Sequence, residues 1–246
     1  MKRKPAGVLL NIFFGICLFY TSVFFSWTAL SAIDFGYSAM YGMLDIEGMV
    51  KKYAPKNADN EKKMFVLTDR NEHERLFGEI SRSVNNAGED LEKIEFSPMM
   101  TDKSFQLLTP AEVQHLMDVS DVVFWFKISS YFFIVASLFC IITMINQKVR
   151  PARAFVALPV TLGVLCLSGL LIYVLGAEEV FYFLHEVIFR DHQWFFYYEE
   201  SLMTVLMHAP DIFGYIALLL VITAFVFYTA LMFIARLLFS INKGIN

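Results

Sequence analysis

Four long stretches of the chain carry no charged residue, and they determine its architecture. The stretches are residues 8–30, 128–146, 154–177 and 212–235. Each is about 19–24 residues long, close to the ~20 that an α-helix needs to cross ~30 Å of hydrocarbon. The pattern therefore predicts an all-α membrane protein with four transmembrane helices.

The first stretch has a second interpretation. The basic segment "MKRK" followed by an apolar run also fits a signal peptide, and Ala29-Leu30-Ser31 is an acceptable small-residue cleavage site. However, the apolar core that starts at Val8 exceeds the ~7–15 residues of a typical signal peptide. We therefore expect a retained helix.

The four spans divide the chain into parts that differ in hydrophobic pattern. We expect a mixed α/β extracytoplasmic cap between the first two helices and an interfacial segment between the last two. The predicted parts are a tail with the first helix (1–30), the cap (31–121), the second helix (122–146), an inner loop (147–153), the third helix (154–177), the interfacial segment (178–211), the fourth helix (212–239) and a tail (240–246).

The cap sequence keeps apolar residues throughout, which is typical of a folded unit rather than a linker. Residues 32–50 are expected to extend the first helix or to lie in the interface. "LTDRNEHERLFGEISRSVNNAG" predicts a helix that ends near Asn85–Gly88, because Asn and Gly terminate helices. "LEKIEFSPMMTDKSFQLL" alternates in the manner of short strands.

A strong helix start follows in "LTPAEVQHLMDV". Thr109 is placed as N-cap, Pro110 at the first helical position and Glu112 three residues after the cap, which is a capping box. The helix should continue through Asp118 into the second span. Since they recur every three residues, Glu112, His115 and Asp118 should share one face.

The segment between the last two spans is unusually aromatic. In "EVFYFLHEVIFRDHQWFFYYEE" (179–200), the apolar spacing predicts a helix lying in the interface, with Tyr and Trp at headgroup level. His185, Phe189 and His192 are spaced by four and three residues, so they should form one stripe of that helix.

Composition and charge add an orientation. The chain is 57% hydrophobic, against about 45–50% in soluble domains. Eight basic residues fall on one side of the predicted spans, and the carboxylates fall on the other: Lys2, Arg3, Lys4, Lys148, Arg150, Arg153, Arg236 and Lys243. The positive-inside bias then predicts a multi-pass protein of the cell membrane with both termini cytoplasmic. No basic groove residues cluster, so a nucleic-acid partner is not expected.

Three cysteines add no chemistry. Cys17, Cys140 and Cys166 fall inside predicted spans and lack the spacing of a metal site. We interpret them as small packing residues, and no disulfide is expected to support the outer segments.

The histidines offer the candidate chemistry. All five lie on the predicted outer side: His73, His115, His185, His192 and His208. His73, in the charged run "RNEHER", is expected on a solvated helix face, and His192 and His208 on the surface. His115 and His185 differ because each lies among apolar neighbours where a span meets the outer interface. One possibility is that each imidazole simply forms a hydrogen bond with a backbone carbonyl or a carboxylate. The other is that the two histidines meet and act as an acid and a base.

Other reaction classes have less support. A metal site could draw on His115, Glu112, His185 and Glu186, but there is no HExxH motif and no cysteine nearby. A serine hydrolase lacks the GxSxG motif. A channel or transporter favours charges within the membrane, and these spans hold none.

Two stretches resemble a known family. "LTPAEVQHLMDVSDV" and "LHEVIFRDHQWFF…LMHAPDIF" are similar to the two signature regions of the bacterial lipoprotein intramolecular transacylases, which have four spans. The resemblance implies that one acyl chain moves from the sn-2 oxygen of a diacylglyceryl-modified N-terminal cysteine to the α-amine of that cysteine. It implies diacylated lipoproteins and membrane lipid as partners, and places the two essential histidines at His115 and His185.

Roles follow for the neighbouring residues. We expect His185 to act as the base toward the amine and His115 to stabilise or protonate, while both reacting groups belong to one molecule and no cofactor is needed. The carboxylates of Glu112, Asp118 and Glu186 are candidates to orient the rings. Phe189 and Trp194 are expected to line an acyl groove or to anchor the interface, and the protein is expected to be a monomer. The alternatives are a non-catalytic scaffold whose cap binds a partner, and a metal-dependent membrane hydrolase.

Overall fold

The described part of the protein is mostly helical and contains one two-stranded sheet. The computed structural model describes residues 5–245, and the side chains of residues 6–241. The helices are α1 (Pro5–Ser31), α2 (Tyr37–Met40), α3 (Ile46–Tyr53), α4 (Asn60–Lys63), α5 (Arg70–Asn85), α6 (Pro110–Asn146), α7 (Ala154–Leu175), α8 (Ala177–Ile188), α9 (Leu202–Met207) and α10 (Asp211–Ile245). Four 3₁₀ turns cover Asp34–Gly36, Ala54–Lys56, Met64–Leu67 and Leu91–Lys93, and the strands are β1 (Glu95–Phe96) and β2 (Phe105–Gln106).

Four of the described helices are long and apolar enough to cross a membrane, as the charge-free stretches predict. They cover Ala6–Ser31, Pro110–Asn146, Ala154–Leu175 and Asp211–Ile241. The second of them also contains the predicted capping box at its start, so a polar first section and an apolar remainder form one continuous helix. The basic residues Lys2, Arg3 and Lys4 lie outside the described residues, as does the side chain of Lys243.

The chain divides into two compact units. The first contains residues 1–29, 126–174 and 218–246, and among its described residues it includes the apolar sections of the four long helices. Its core joins α1, α6 and α10 through eight buried side chains: Phe14, Leu18, Cys140, Ile141, Met144, Tyr228, Met232 and Ala235. The apolar face of α7 stays largely uncovered, which is stable only in an apolar solvent such as lipid.

The second unit contains residues 30–125 and 175–217. Its centre is the short helix α9, in which all six side chains are buried. Tyr37 anchors this helix by donating its hydroxyl hydrogen to the Leu206 carbonyl oxygen at 2.9 Å, while its ring stacks on Phe77 at 4.1 Å. Five of the six side chains in "LMTVLM" are apolar. A helix that is apolar on nearly every face has to be buried, so the other elements pack around it.

Several local predictions for the second unit hold. Helix α5 ends at Asn85, within the predicted range, and β1 pairs antiparallel with β2 in the register Phe96↔Phe105. The prediction for residues 32–50 is wrong where it extends the first helix. Helix α1 ends at Ser31, and Gly36 then takes a left-handed φ of 77°, which breaks the helix before α2 begins.

His73 is not on a solvated helix face, and this expectation is wrong. Its side chain is 1% exposed and lies between two hydroxyl groups. Thr68 Oγ1 donates its hydrogen to the Phe65 carbonyl, so His73 Nε2–H must donate to Thr68 Oγ1 at 2.7 Å. His73 Nδ1 then accepts from the Tyr41 hydroxyl at 2.8 Å. The charged neighbours in the sequence face outward, while the histidine itself completes a buried network.

This network makes the unfolding of the protein sensitive to acid. Burial lowers the pKa of His73 from 6.5 to about 4, so the unfolded state binds the proton more strongly. The free energy of unfolding should therefore fall as the pH drops from 6.5 toward 4, by roughly 3 kcal/mol in full. Thermal unfolding of the detergent-solubilised protein across this range measures the loss. His73→Gln should make that pH dependence shallower but not abolish it, because His185, whose pKa burial also lowers, remains in the variant. An equally steep dependence in the variant would contradict the assignment.

Candidate active site

The capping box at the start of α6 positions the first candidate histidine. The Thr109 N–H donates to Glu112 Oε2, and the Glu112 N–H donates to Thr109 Oγ1 at 3.3 Å, as the sequence predicts. This reciprocal pair fixes the first turn of the helix. His115 lies one turn later on the face of Glu112, and its side chain is only 7% exposed.

The second histidine comes from α8, which begins directly after Gly176. That glycine has a φ of 88°, a conformation that side chains disfavour, and it allows a new helix to start one residue after α7 ends. His185 lies in the last turn of α8. The His115 and His185 rings approach to 6.0 Å between centroids, so the structure brings together two imidazoles seventy positions apart in the chain.

The tautomer of His185 is set by its own helix. His185 Nδ1 lies 2.9 Å from the carbonyl oxygen of Phe181. Because a carbonyl oxygen only accepts, Nδ1 must carry the hydrogen, which leaves a lone pair on Nε2 of the neutral ring. Burial also lowers the pKa of His185 below its ordinary value. The ring therefore offers an unprotonated Nε2 at neutral pH, which is what a general base requires.

His115 has the complementary property. Its Nδ1 is buried and has no hydrogen-bond partner among the described residues. An unpartnered buried polar atom costs on the order of 1–3 kcal/mol, so such an atom in a native structure needs an explanation. The unpartnered Nδ1 makes His115 a candidate to bind a ligand group.

Four aromatic rings pack against the histidine pair. Phe189 is buried and contacts both rings, with centroids 5.0 Å from His115 and 5.2 Å from His185. Phe181 lies 3.9 Å from His185, and Trp194 lies 5.5 Å from the same ring. Phe196 lies 6.0 Å from His115. These rings form an apolar shell, in which a hydrogen bond to either imidazole is stronger than it would be in water.

The three carboxylates that are predicted to orient the rings are placed elsewhere. Glu112 accepts from the Ser201 hydroxyl and from the Thr109 N–H, so both of its oxygens are engaged away from the imidazoles. Asp118 accepts from His192 Nδ1–H at 2.8 Å and from Gln114 at 3.0 Å. Glu186 is exposed. In place of a carboxylate, the carbonyl of Phe181 orients His185.

The side chains that could have formed a metal site are not grouped together among the described residues. Among residues 6–241, no three His, Cys, Asp or Glu side chains are grouped so that they could hold a metal ion. The four residues considered for such a site include Glu112, whose oxygens are already engaged, and Glu186, which is exposed.

Comparison with known proteins agrees with the resemblance of the two stretches. The family model described as "Lipoprotein intramolecular transacylase Lit" matches residues 12–213. The chain belongs to this family. It is therefore a membrane acyltransferase of the kind that acts on lipoproteins.

A solved structure supports the fold. The membrane integral lipoprotein intramolecular transacylase Lit from Bacillus cereus, in a form carrying a histidine-to-arginine mutation, superposes with a TM-score of 0.61. The match covers 97% of this chain and 92% of that chain, at 13% sequence identity. No curated protein matches the chain significantly. The family assignment therefore rests on the family model, and the shared fold on the solved structure.

The sequence analysis assigned no role to three residues in or near the site of this family member. Phe181 is predicted only as an apolar position of an interfacial helix, although its carbonyl sets the tautomer of His185. Phe196 contacts His115 from a segment without regular structure. Ser201 is buried and bonds Glu112. A hint for Ser201 was present, because a serine directly before "LMTVLM" fits an N-cap, and its hydroxyl does accept the Thr204 N–H at 2.9 Å.

Proposed function

We propose that this chain moves the sn-2 acyl chain of a diacylglyceryl-modified N-terminal cysteine to the α-amine of the same cysteine, with His185 as base and His115 as proton donor. The observation that carries the proposal is the pair of neighbouring rings, whose centroids are 6.0 Å apart. One ring has an available lone pair and the other has an unpartnered nitrogen.

The reaction balances within one substrate molecule. The amine nitrogen attacks the sn-2 ester carbonyl, a carbon–nitrogen bond forms, and the carbon–oxygen bond of the ester breaks. Overall, one proton passes from the amine to the departing glyceryl oxygen. Because nucleophile and electrophile belong to the same molecule, the protein has only to hold them in attacking geometry and move the proton.

The two histidines divide this proton transfer. His185 Nε2 accepts a proton from the attacking amine, because Nδ1–H is held by the Phe181 carbonyl. His115 supplies an N–H to the oxygen on which negative charge develops, and the buried Nδ1 gains a partner there. As His115 passes this hydrogen to the departing glyceryl oxygen, it takes the proton that His185 received from the amine. Both rings end neutral, so the cycle needs no cofactor and no covalent enzyme intermediate.

The aromatic shell favours transfer to the amine over hydrolysis. Water entering the site would compete with the amine for the ester carbonyl, and excluding it suppresses that side reaction. Phe189 is 9% exposed and covers both rings. We place the acyl chains of the substrate along Phe189 and Trp194.

The expected membrane placement is consistent with this chemistry. His115 precedes the predicted second span, which begins at Val122, by seven residues, or about 10 Å along the helix. A lipid-anchored cysteine could therefore reach the ring while its acyl tails stay in the bilayer. We place the site on the extracytoplasmic side of the cell membrane, with both termini cytoplasmic, the segment 31–121 as an extracytoplasmic cap, and the protein acting as a monomer.

Conversion of a diacylglyceryl-cysteine peptide by the purified protein in detergent tests the proposal. An intramolecular transfer leaves the mass of the peptide unchanged, makes the α-amine resistant to amine reagents and moves one acyl chain to nitrogen in the fragment spectrum. Release of fatty acid would instead identify a hydrolase, and an unchanged peptide would favour a scaffold. Either outcome, set against a sample without protein, would overturn the proposal.

The pH dependence of kcat/KM gives a second test. An α-amine ordinarily has a pKa of about 7.7–8.0, so the logarithm of the rate should rise with a slope of one below pH 8. Burial holds the pKa of His185 below 6.5. Protonation of His185 should therefore lower kcat/KM only below that pH, where the slope of log kcat/KM against pH becomes two. A slope of two already between pH 6.5 and 8 would contradict His185 as the buried base.

A further inference from the structure

Two carboxylates on the His115 face of α6 hold opposite parts of one irregular segment. The segment, residues 190–201, is here called the strap, and it contains no helix or strand. Glu112, one turn before His115, bonds Ser201 at the end of the strap. Asp118, one turn after His115, bonds His192 near its beginning. The strap therefore passes along the helix face that carries His115.

The end of the strap at Ser201 is firmly fixed. Ser201 is 1% exposed and Glu112 is fully buried. Nearby, the Tyr198 ring stacks on Tyr53 at 4.9 Å, and the Asn57 side chain donates to the Glu200 carbonyl at 3.2 Å. Breaking this end would expose buried polar groups and core surface together, which makes it an anchor.

The other end is held differently. His192 Nδ1–H donates to Asp118 Oδ2 at 2.8 Å, and the two side chains are 47% and 21% exposed. Arg190 and Asp191, which precede His192, are exposed. Water can replace this hydrogen bond at low free-energy cost, so the contact can open while the anchor stays in place.

The part of the strap between these two attachments carries rings that cover the histidine pair. Trp194 contacts His185 and Phe196 contacts His115. The His192–Asp118 hydrogen bond therefore joins to α6 the segment that carries these two rings, while Tyr182 also contacts Trp194 at 6.1 Å.

We propose that the His192–Asp118 pair is a latch, and that both are positioning residues that hold Trp194 and Phe196 against the catalytic rings during acyl transfer. The inference rests on the proposed function. The open latch admits a diacylated cysteine, which is bulky and apolar, and the closed latch completes the apolar shell. The pair acts through the strap and touches neither reacting group.

Steady-state kinetics with the diacylglyceryl-cysteine peptide test the latch. His192→Ala and Asp118→Ala should each lower kcat about five-fold, the change that ~1 kcal/mol produces. The double variant should be no slower than either single one, because both remove the same hydrogen bond. His192→Asn should restore most of the rate, since its amide N–H lies near the position of the imidazole Nδ1–H. Asp121→Asn removes a charge one turn further along α6 and should leave the rate unchanged.

Tryptophan fluorescence tests whether the latch variants displace Trp194 without destabilising the whole protein. In a Trp27→Phe/Trp125→Phe background, Trp194 is the single tryptophan of the chain, and quenching by acrylamide reports its exposure. Asp118→Ala should raise that quenching without lowering the unfolding temperature. Full activity with wild-type quenching in both alanine variants would overturn the latch alone. An inactive wild-type protein would instead overturn the proposed function.

Discussion

Replacing His115 or His185 with alanine will abolish transfer of the acyl chain to the amine while leaving the protein folded. General acid–base catalysis by one positioned side chain typically contributes about 10²–10⁴-fold to the rate, so each variant should fall to near the background of spontaneous migration. The two effects should not add, because the rings exchange a proton within one cycle. Fragment spectra of the peptide after a fixed incubation measure the loss.

His208→Asn provides the matched control. His208 also belongs to the second unit, but its Nδ1 donates to the carbonyl of Leu44 at 2.8 Å. It has a left-handed φ of 42°, which asparagine tolerates. This variant should keep full activity. Unimpaired transfer by both His115→Ala and His185→Ala would remove the two-histidine mechanism, whatever the control shows.

Glu112→Ala is expected to give the largest loss of stability among the polar residues of the second unit. Its carboxylate is fully buried, accepts from Thr109 and Ser201, and lies 3.8 Å from the Lys62 ammonium group. Removing the carboxylate leaves the Lys62 ammonium group without a counter-charge, with only the Leu107 carbonyl as its partner at 3.2 Å. Breaking a buried charged pair in this way costs on the order of 3 kcal/mol. In a chain of this size the unfolding temperature should fall by roughly 6–12 °C, which calorimetry of the solubilised protein measures.

Two further variants test whether the loss of stability comes from the buried Glu112 network or from the removal of any negative charge. Glu92→Ala removes an exposed carboxylate of the same unit and should leave the unfolding temperature within experimental error. Lys62→Met combined with Glu112→Gln removes both charges while keeping the volume of each side chain, and should recover much of the loss. An undisturbed unfolding temperature in Glu112→Ala would show that the buried carboxylate contributes nothing to the fold.

The sequence by itself determined the features that depend on neighbouring residues. Four apolar stretches of sufficient length became four long helices. A helix satisfies its backbone hydrogen bonds internally, and a long run of apolar side chains makes lipid a suitable solvent for it. The capping box at Thr109 formed as predicted, since its two hydrogen bonds join residues three positions apart. The spacing that places Glu112, His115 and Asp118 on one face is likewise a property of the helix alone.

Contacts between distant parts of the chain were decided only by the tertiary structure. Sequence spacing singled out His115 and His185, but their approach depends on how α6 and α8 pack. Charged neighbours predicted an exposed His73, yet long-range contacts with Tyr41 buried it. The carboxylates near His115 found partners some seventy to ninety positions away, in His192 and Ser201. Local pattern specifies the faces of a helix, whereas the partner of each polar group on a face is selected by packing, because a buried donor or acceptor takes whichever complementary group the fold brings within reach.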